Sequence, residues 1–539
     1  MLANSDSENE GHEVTKGNEK VSHLRIVASQ SLVTNAILNH KYHGSGTLDD
    51  PYLVEFIPND PRNPMDFPDW KKWCLIATVA MTTLAVAFVS TAYTGSIVQI
   101  IEEFQCSQEL ATLGLSLFVL GWALGPLIWA PLSELWGRQI IFFATYAIVT
   151  AFNAAAAGAP NIGTLVVLRF FAGTFGASPM TNAGGVVADL LPANKRGIGM
   201  VIFASAPFLG PVIGPVAGGF ASENIGWRWV EGIMAIFTGI LWVVGAFLLP
   251  ETYAPVILQR RATALSKRTG KVYVSSLEYR QGRVTPKAAF QKAIVRPWIL
   301  LFREPIVLLL SIYMAITYGT LYMLFGAFPV VFQDGRGWSQ GVGGLAFSGL
   351  GVGIVIGLMY CLWDNKRYLR AEEKAGGEAA PEVRLPPTLV SAVAMPIGLF
   401  IFAWTNYPSI HWIVCIIATV PFGFGMVTGF LSMMNYLIDA YTIYAASVLA
   451  ASTVLRSLFG TVFPLFTSYM YADLGVHWAS SIPAFLALAF APFPFLFYKY
   501  GETIRMKCKY AAQAHDVMAQ LRKTNTQIER EERDKDSDV

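Results

Sequence analysis

Two arginines, Arg169 and Arg456, lie inside long apolar runs of this chain. A permanent charge there is expensive. It must face a partner or a wet cavity, unless it snorkels to an interface and only anchors its helix. Glu134 and Arg138 stand four residues apart at the end of another apolar run, a spacing of one helical turn that lets acid and base share a face. Asp189 and Arg196 flank the next polar turn, and Glu231 and Asp439 sit at the edges of two further runs. These groups can form ion pairs, and the carboxylates can gain or lose a proton. Covalent catalysis has no comparable signal, because no Ser/His/Asp set, phosphate-cradling loop or metal cluster stands at a helix end. No enzyme, cofactor or metal is expected. Cys74, Cys106, Cys361, Cys415 and Cys508 form no C-x-x-C pair and read as inert thiols.

Membrane helices must position these groups. Soluble proteins carry about 25% charged residues. This chain of 539 residues has 14% charged and 54% hydrophobic, which is the balance of an integral membrane protein. A net charge of +2 implies no nucleic-acid partner. About twelve runs reach the ~20 apolar residues that a bilayer crossing needs. They form two groups of six around a basic segment. The expected layout is a cytosolic, largely disordered tail over 1–70, a bundle over 71–250, a cytosolic linker over 251–303, a second bundle over 304–500 and a cytosolic tail over 501–539. Lys71 and Lys72 precede the first run, no cleavable signal is evident, and the outer loops hold only Arg228 and Arg336. The positive-inside rule then puts both termini in the cytosol. Two halves of six spans with a long cytosolic linker is the layout of a rocking transporter.

The fifth run contains Gly210, Pro211, Gly214, Pro215, Gly218 and Gly219. Ordinary helix interiors avoid both residue types. A membrane helix tolerates them where neighbours resatisfy the backbone and small residues let helices touch, so a bend and a tight seam are expected.

Several stretches carry a family resemblance. Ala130 to Arg138 reads APLSELWGR, Leu168 to Gly176 reads LRFFAGTFG, and Gly210 to Gly219 reads GPVIGPVAGG. Around them lie NDPRNP (Asn59 to Pro64), WRW (Trp227 to Trp229), PETY (Pro250 to Tyr253) and RPW (Arg296 to Trp298). On these motifs, over roughly Asp50 to Ala512, the chain resembles the major facilitator superfamily, and within it the fungal drug:proton antiporter group. The resemblance implies an all-α fold of twelve transmembrane helices in two six-helix bundles with pseudo-twofold symmetry. It implies a monomeric, proton-driven antiporter that exports drugs, toxins or secondary metabolites by alternating access. The plasma membrane is the expected site, with the vacuolar membrane as the alternative.

By the same resemblance, Glu134, Gly137, Arg138, Asp189 and Arg196 form a conformational latch, or a surface charge pair that helps set topology. In the loop signature Ala130, Glu134, Leu135 and Gln139 depart from the family pattern, which leaves the clasp's partners open. The glycine and proline run looks like the antiporter motif, whose kinked face closes the cytosolic side and favours export. Arg169 would serve proton coupling, Arg456 raises the same question, and Glu231 and Asp439 are the nearest carboxylates to carry the proton. Spans one, four, seven and ten line the cavity in this family. There Asn182, Tyr313, Tyr318, Tyr322, Phe422, Phe424 and Asn435 are candidate lining residues, with helix packing as the competing role for each aromatic. An aromatic lining without a fixed carboxylate suits a bulky amphiphile better than a sugar. The alternatives are a nutrient symporter of the same fold and a membrane sensor that does not transport.

Overall fold

The computed structural model describes residues 21–282, 285–376 and 379–520. Among them, eleven apolar helical stretches are long enough to cross a bilayer. The last, Thr442–Lys507, makes two crossings, because Gly475 at φ 73° and ψ 163° breaks the helix. The expected twelve membrane helices are therefore present. The first half contains α1 (Asp69–Ala92), α2 (Gln108–Trp136), α3 (Arg138–Ala157), α4 (Ile162–Leu190), α5 (Ala193–Ile225) and α6 (Trp227–Leu248). The second contains α7 (Pro305–Phe328), α8 (Ser348–Lys374), α9 (Pro386–Thr405), α10 (Trp412–Ala440), α11 (445–474) and α12 (476–490, continued in Pro492–Lys507). Helices satisfy their own backbone, as lipid demands. Side chains of Ser107 and Asn161 cap the starts of α2 and α4.

α5 runs unbroken for 33 residues although Pro207, Pro211 and Pro215 lie inside it. Gly210, Gly214 and Gly218, one turn apart, face α1. A Cβ on them would overlap Ala87 Cβ, Thr91 Oγ1 and Ala92 O respectively, so the two backbones touch. Gly219 faces the other half, where a Cβ would stand 2.7 Å from Gln340 O. The expected seam is there, but its place corrects the expectation that it closes the linker side. The run occupies the part of α5 nearer Gly226, at the end of the bundle away from the linker. There it meets α1 and the short helix Gln340–Gly344 that precedes α8.

The N-terminal segment also differs from expectation, being folded from residue 21 onward. It forms short helices His23–Ala28 and Asn35–Asn39 and a strand β1 (Tyr52–Val54). That strand pairs in parallel with β2 (Tyr273–Ser275) of the linker. The linker adds helices Ala254–Thr269, Ser276–Gln281 and Pro286–Arg303. Buried Asp60 and Arg261 pair through both terminal guanidinium nitrogens, one bond measuring 3.1 Å. Arg62 Nη1 donates to Glu251 O at 2.7 Å. Burial pulls the Arg62 guanidinium down to about 10, with Glu251 opposing. The NDPRNP stretch thus straps the linker to the first half. Residues 509–520 are helical, while 1–20 and 521–539, expected to be disordered, lie outside the described residues.

Asp60→Ala leaves Arg261 buried without its counter-charge. The expected result is a linker cut much faster by trypsin while the membrane helices stay folded. Unchanged cleavage would show that the strap does not hold the linker.

Candidate functional site

Arg169 of α4 and Glu231 of α6 meet in the core of the first half. Arg169 Nη1 donates to Glu231 Oε1 at 3.0 Å, and the two side chains are 1% and 2% exposed. Arg169 Nε donates to Gly114 O at 2.9 Å, and Nη2 to Val89 O and Ser90 O at 3.0 and 3.2 Å. Its guanidinium lies 4.3 Å from the Tyr93 ring centroid and 5.0 Å from that of Phe118. One side chain therefore ties α1, α2, α4 and α6 together, so snorkelling does not describe it. Glu231 Oε2 is buried without a hydrogen-bond partner. A carboxylate with one oxygen held and the other free has a place for a proton.

The latch residues assemble differently from the sequence expectation. Gly137 at φ 97° ends α2, so Glu134 and Arg138 stand on different helices and the one-turn spacing does not apply. Glu134 is exposed, and Arg138 Nε donates to Asp189 Oδ2 at 2.7 Å. Arg196 does not join this pair; it is exposed and donates to Ala188 O at 3.3 Å. The hub is Glu251, which follows α6 and is fully buried. Its Oε1 accepts from the amides of Arg138, Thr252 and Tyr253, each at 3.0 Å, and its Oε2 from that of Gln139 at 3.1 Å. A Cβ on Gly137 would run into this carboxylate, so glycine is needed for both its φ and its lack of a side chain. Thr252 Oγ1 donates to Asp189 Oδ2 at 3.2 Å. Burial, then the charge of Glu134, pushes the Tyr253 phenol up to about 12 and keeps it neutral. Sequence reasoning noted PETY but assigned Glu251 no role. The signal was an acid just past the end of a span, where free amides of another helix N-terminus need an acceptor.

The second half repeats the plan. Arg384, before α9, donates to Asp439 Oδ2 at the end of α10 at 2.8 Å, as Arg138 does to Asp189. Arg505 of α12 donates to Glu382 at 3.2 Å. Asp439, expected at the inner end of its span, is therefore a clasp residue at that linker-side end. Glu251→Gln sets an amide NH2 against the Gln139 N–H. It is expected to destabilise by about 1–3 kcal/mol, read as a lower thermal midpoint in detergent. An unmoved midpoint would remove Glu251 from the hub.

The cavity candidates divide into groups. Tyr318 OH donates to Tyr322 OH at 3.5 Å, and Tyr322 OH lies 3.3 Å from Ser90 Oγ of α1, linking the halves. Phe430 of α10 meets Phe208 of α5 edge-on at 5.1 Å, a second aromatic link. Tyr313 faces Gly425 and Gly429 across a narrow gap between α7 and α10. Phe424 is turned away and packs on Tyr360 of α8 at 5.5 Å. Phe422, two residues earlier, is buried on a different face, since two helical residues are about 200° apart. Asn182 Nδ2 donates to Ser178 Oγ at 3.3 Å within α4, and its buried Oδ1 has no partner. Asn435 is half-buried near the linker-side end of α10. The structure therefore does not gather all seven into one lining.

Comparison with known proteins gives consistent matches. The family model of the Major Facilitator Superfamily matches residues 79–464. The chain is 62% identical over 503 residues to the major facilitator superfamily multidrug transporter mdrA of Aspergillus fumigatus, covering 93% of this chain and 83% of that one. It is 62% identical over 507 residues to the MFS-type efflux pump MFS2 of Trichophyton rubrum, covering 94% and 85%. It is 52% identical over 504 residues to the efflux pump FUBT of Fusarium oxysporum, again covering 94% and 85%. Among solved structures, the proton:xylose symporter XylE matches with a TM-score of 0.57 at 15% identity, over 80% of this chain and 96% of that chain. That last likeness concerns the fold alone.

Proposed function

The chain belongs to the Major Facilitator Superfamily, a family of membrane transporters rather than enzymes, and on that premise we propose that it is a proton-coupled exporter of amphiphilic drugs, toxins or secondary metabolites. The efflux names of its fungal relatives support the direction of transport. The observation that carries the coupling is the Arg169–Glu231 pair, a buried carboxylate with one oxygen held and one free. Protonation at Glu231 Oε2 removes the charge that neutralises Arg169. Arg169 is hydrogen-bonded to α1 at Val89 and Ser90, and Ser90 also touches Tyr322 of the other half. A change in the pair therefore reaches the contact between the halves.

The clasps around Arg138 and Arg384 tie helix ends within each half, so each half moves as a body. The contacts that cross between halves are the ones that must part. Glu223 accepts from Ser339 Oγ and the amide of Gly341, each at 3.0 Å, at the end away from the linker. Beside them Gly219 meets Gln340. The lysine and arginine bias supports a cytosolic linker and termini, and a plasma-membrane location is part of this reading.

The test uses the purified full chain in proteoliposomes with an imposed pH gradient. Flux of neutral, cationic and anionic fluorescent amphiphiles is followed before and after an uncoupler. Gradient-driven flux that stops with the uncoupler is the expected result. Flux that ignores the gradient would exclude proton coupling.

A further inference from the structure

We propose that Arg456 recognises the carboxylate of an aromatic acid in the substrate path, which rests on the export reading and narrows its substrate class. Arg456 stands eleven residues into α11, about 17 Å from its linker-side end at the ~1.5 Å rise of a helix. That distance is about half of the ~30 Å hydrocarbon thickness of a bilayer. Among the described residues its guanidinium donates no hydrogen bond and forms no ion pair, and its Nε is buried without a partner. Two rings lie against it, with the Phe430 centroid at 4.8 Å and that of Tyr318 at 5.4 Å. The side chain is only partly covered.

The contrast is with the arginines of the membrane helices, their ends and the linker. Arg169 has Glu231, Arg138 has Asp189, Arg384 has Asp439, Arg261 has Asp60 and Arg505 has Glu382, while buried Arg62, outside the spans, holds only the backbone oxygen of Glu251 among the described residues. Arg456 has no built-in carboxylate, so it lacks the partner that a proton-coupling role would need. An uncompensated charge at this depth costs folding energy unless a ligand or water meets it. A guanidinium presents its N–H donors in a planar fork that matches a carboxylate. Cation–π contacts use the rings around it and leave those donors free.

The surroundings define the rest of the ligand. Phe430 and Tyr318 offer aromatic walls, and Phe208 extends them onto α5 of the first half. The hydroxyl line Tyr318, Tyr322, Ser90 runs from the guanidinium's neighbour to α1. An aromatic acid held by Arg456 thus touches both halves, as a transported substrate must. A cationic ligand would be repelled at the same place.

The test is equilibrium binding of 2-naphthoate and its neutral isostere 2-naphthamide to the full chain in nanodiscs, by calorimetry. The wild type is expected to favour the acid by roughly 10-fold or more. Arg456→Gln is expected to erase that preference, weakening the acid far more than the amide. Arg456→Lys, which keeps charge without the fork, is expected to retain part of it. Equal affinity of the wild type for both probes would overturn the proposal, and so would undiminished naphthoate binding by Arg456→Gln. If the glutamine variant fails to give monodisperse protein, the wild-type preference and the lysine variant decide. Binding needs no gradient, so the two readings fail separately. Export of neutral amphiphiles without a naphthoate preference sinks only this inference, while a preference without gradient-driven flux sinks only the proton-coupled export reading.

Discussion

Arg169→Ala is expected to collapse the yield of folded, monodisperse protein. The substitution leaves Glu231 buried in the core without its counter-charge and strips donors from the carbonyls of Val89, Ser90 and Gly114. Breaking one side of a buried pair costs about 3–5 kcal/mol, a large share of the stability of a typical domain. The orphaned carboxylate dominates, and the carbonyls of Val89 and Ser90, in the last turn of α1, add to the cost. Replacing both residues by leucine removes both charges and is expected to recover much of the midpoint without recovering flux. Glu231→Gln separates structure from coupling. It keeps the side-chain shape and an acceptor for Arg169 but cannot titrate. It is expected to fold and to lose gradient-driven flux by roughly 10-fold or more. A Glu231→Gln protein that transports like the wild type, with the same dependence on the gradient, would show that the proton travels elsewhere.

Gly218→Leu is expected to be the most disruptive single change in α5. A Cβ there already overlaps the backbone oxygen of Ala92, and that oxygen belongs to α1 and cannot swing aside. Overpacking in a core with room to adjust costs about 1–3 kcal/mol. Here two helix backbones must separate, so the loss is expected at or above the top of that range. Gly184→Ala of α4 is the control. Its nearest neighbour to a new Cβ is Met200 Cε at 3.8 Å, ordinary contact distance. Alanine also has the better helix propensity, by about 1 kcal/mol. Thermal midpoints from fluorescence-detected size exclusion compare the two. A Gly218→Leu midpoint equal to that of the control would show that α1 and α5 do not need their seam.

Much of the fold was legible because membrane insertion reads local properties. The break at Gly475 is a case in point. Gly475, with its non-helical φ and ψ, separates α11 from α12, and the apolar runs around Gly460 and Ala487 already required two crossings. The candidate site was legible in kind but not in pairing. Arg169 and Glu231 were both visible as costly charges, and they lie 62 residues apart. Glu251 meets Arg138 across 113 residues, and only the return of α6 beside α3 brings them together. The local pairing of Glu134 with Arg138 failed for a backbone reason, the positive φ at Gly137 that separates two helices.

The order of apolar and basic segments settled the class, the twelve crossings and the two halves, and gave the expectation of sidedness. Hydrophobic length and lysine or arginine bias act on each segment alone, so no neighbour is needed to read them. Which charge meets which was decided in three dimensions. A buried ion takes the partner that helix packing brings within about 3 Å, whatever its distance along the chain. That packing gave Arg169 a carboxylate, put Asp439 in a clasp, set the glycine seam at the end away from the linker, and left Arg456 among aromatic rings with its Nε unpartnered among the described residues.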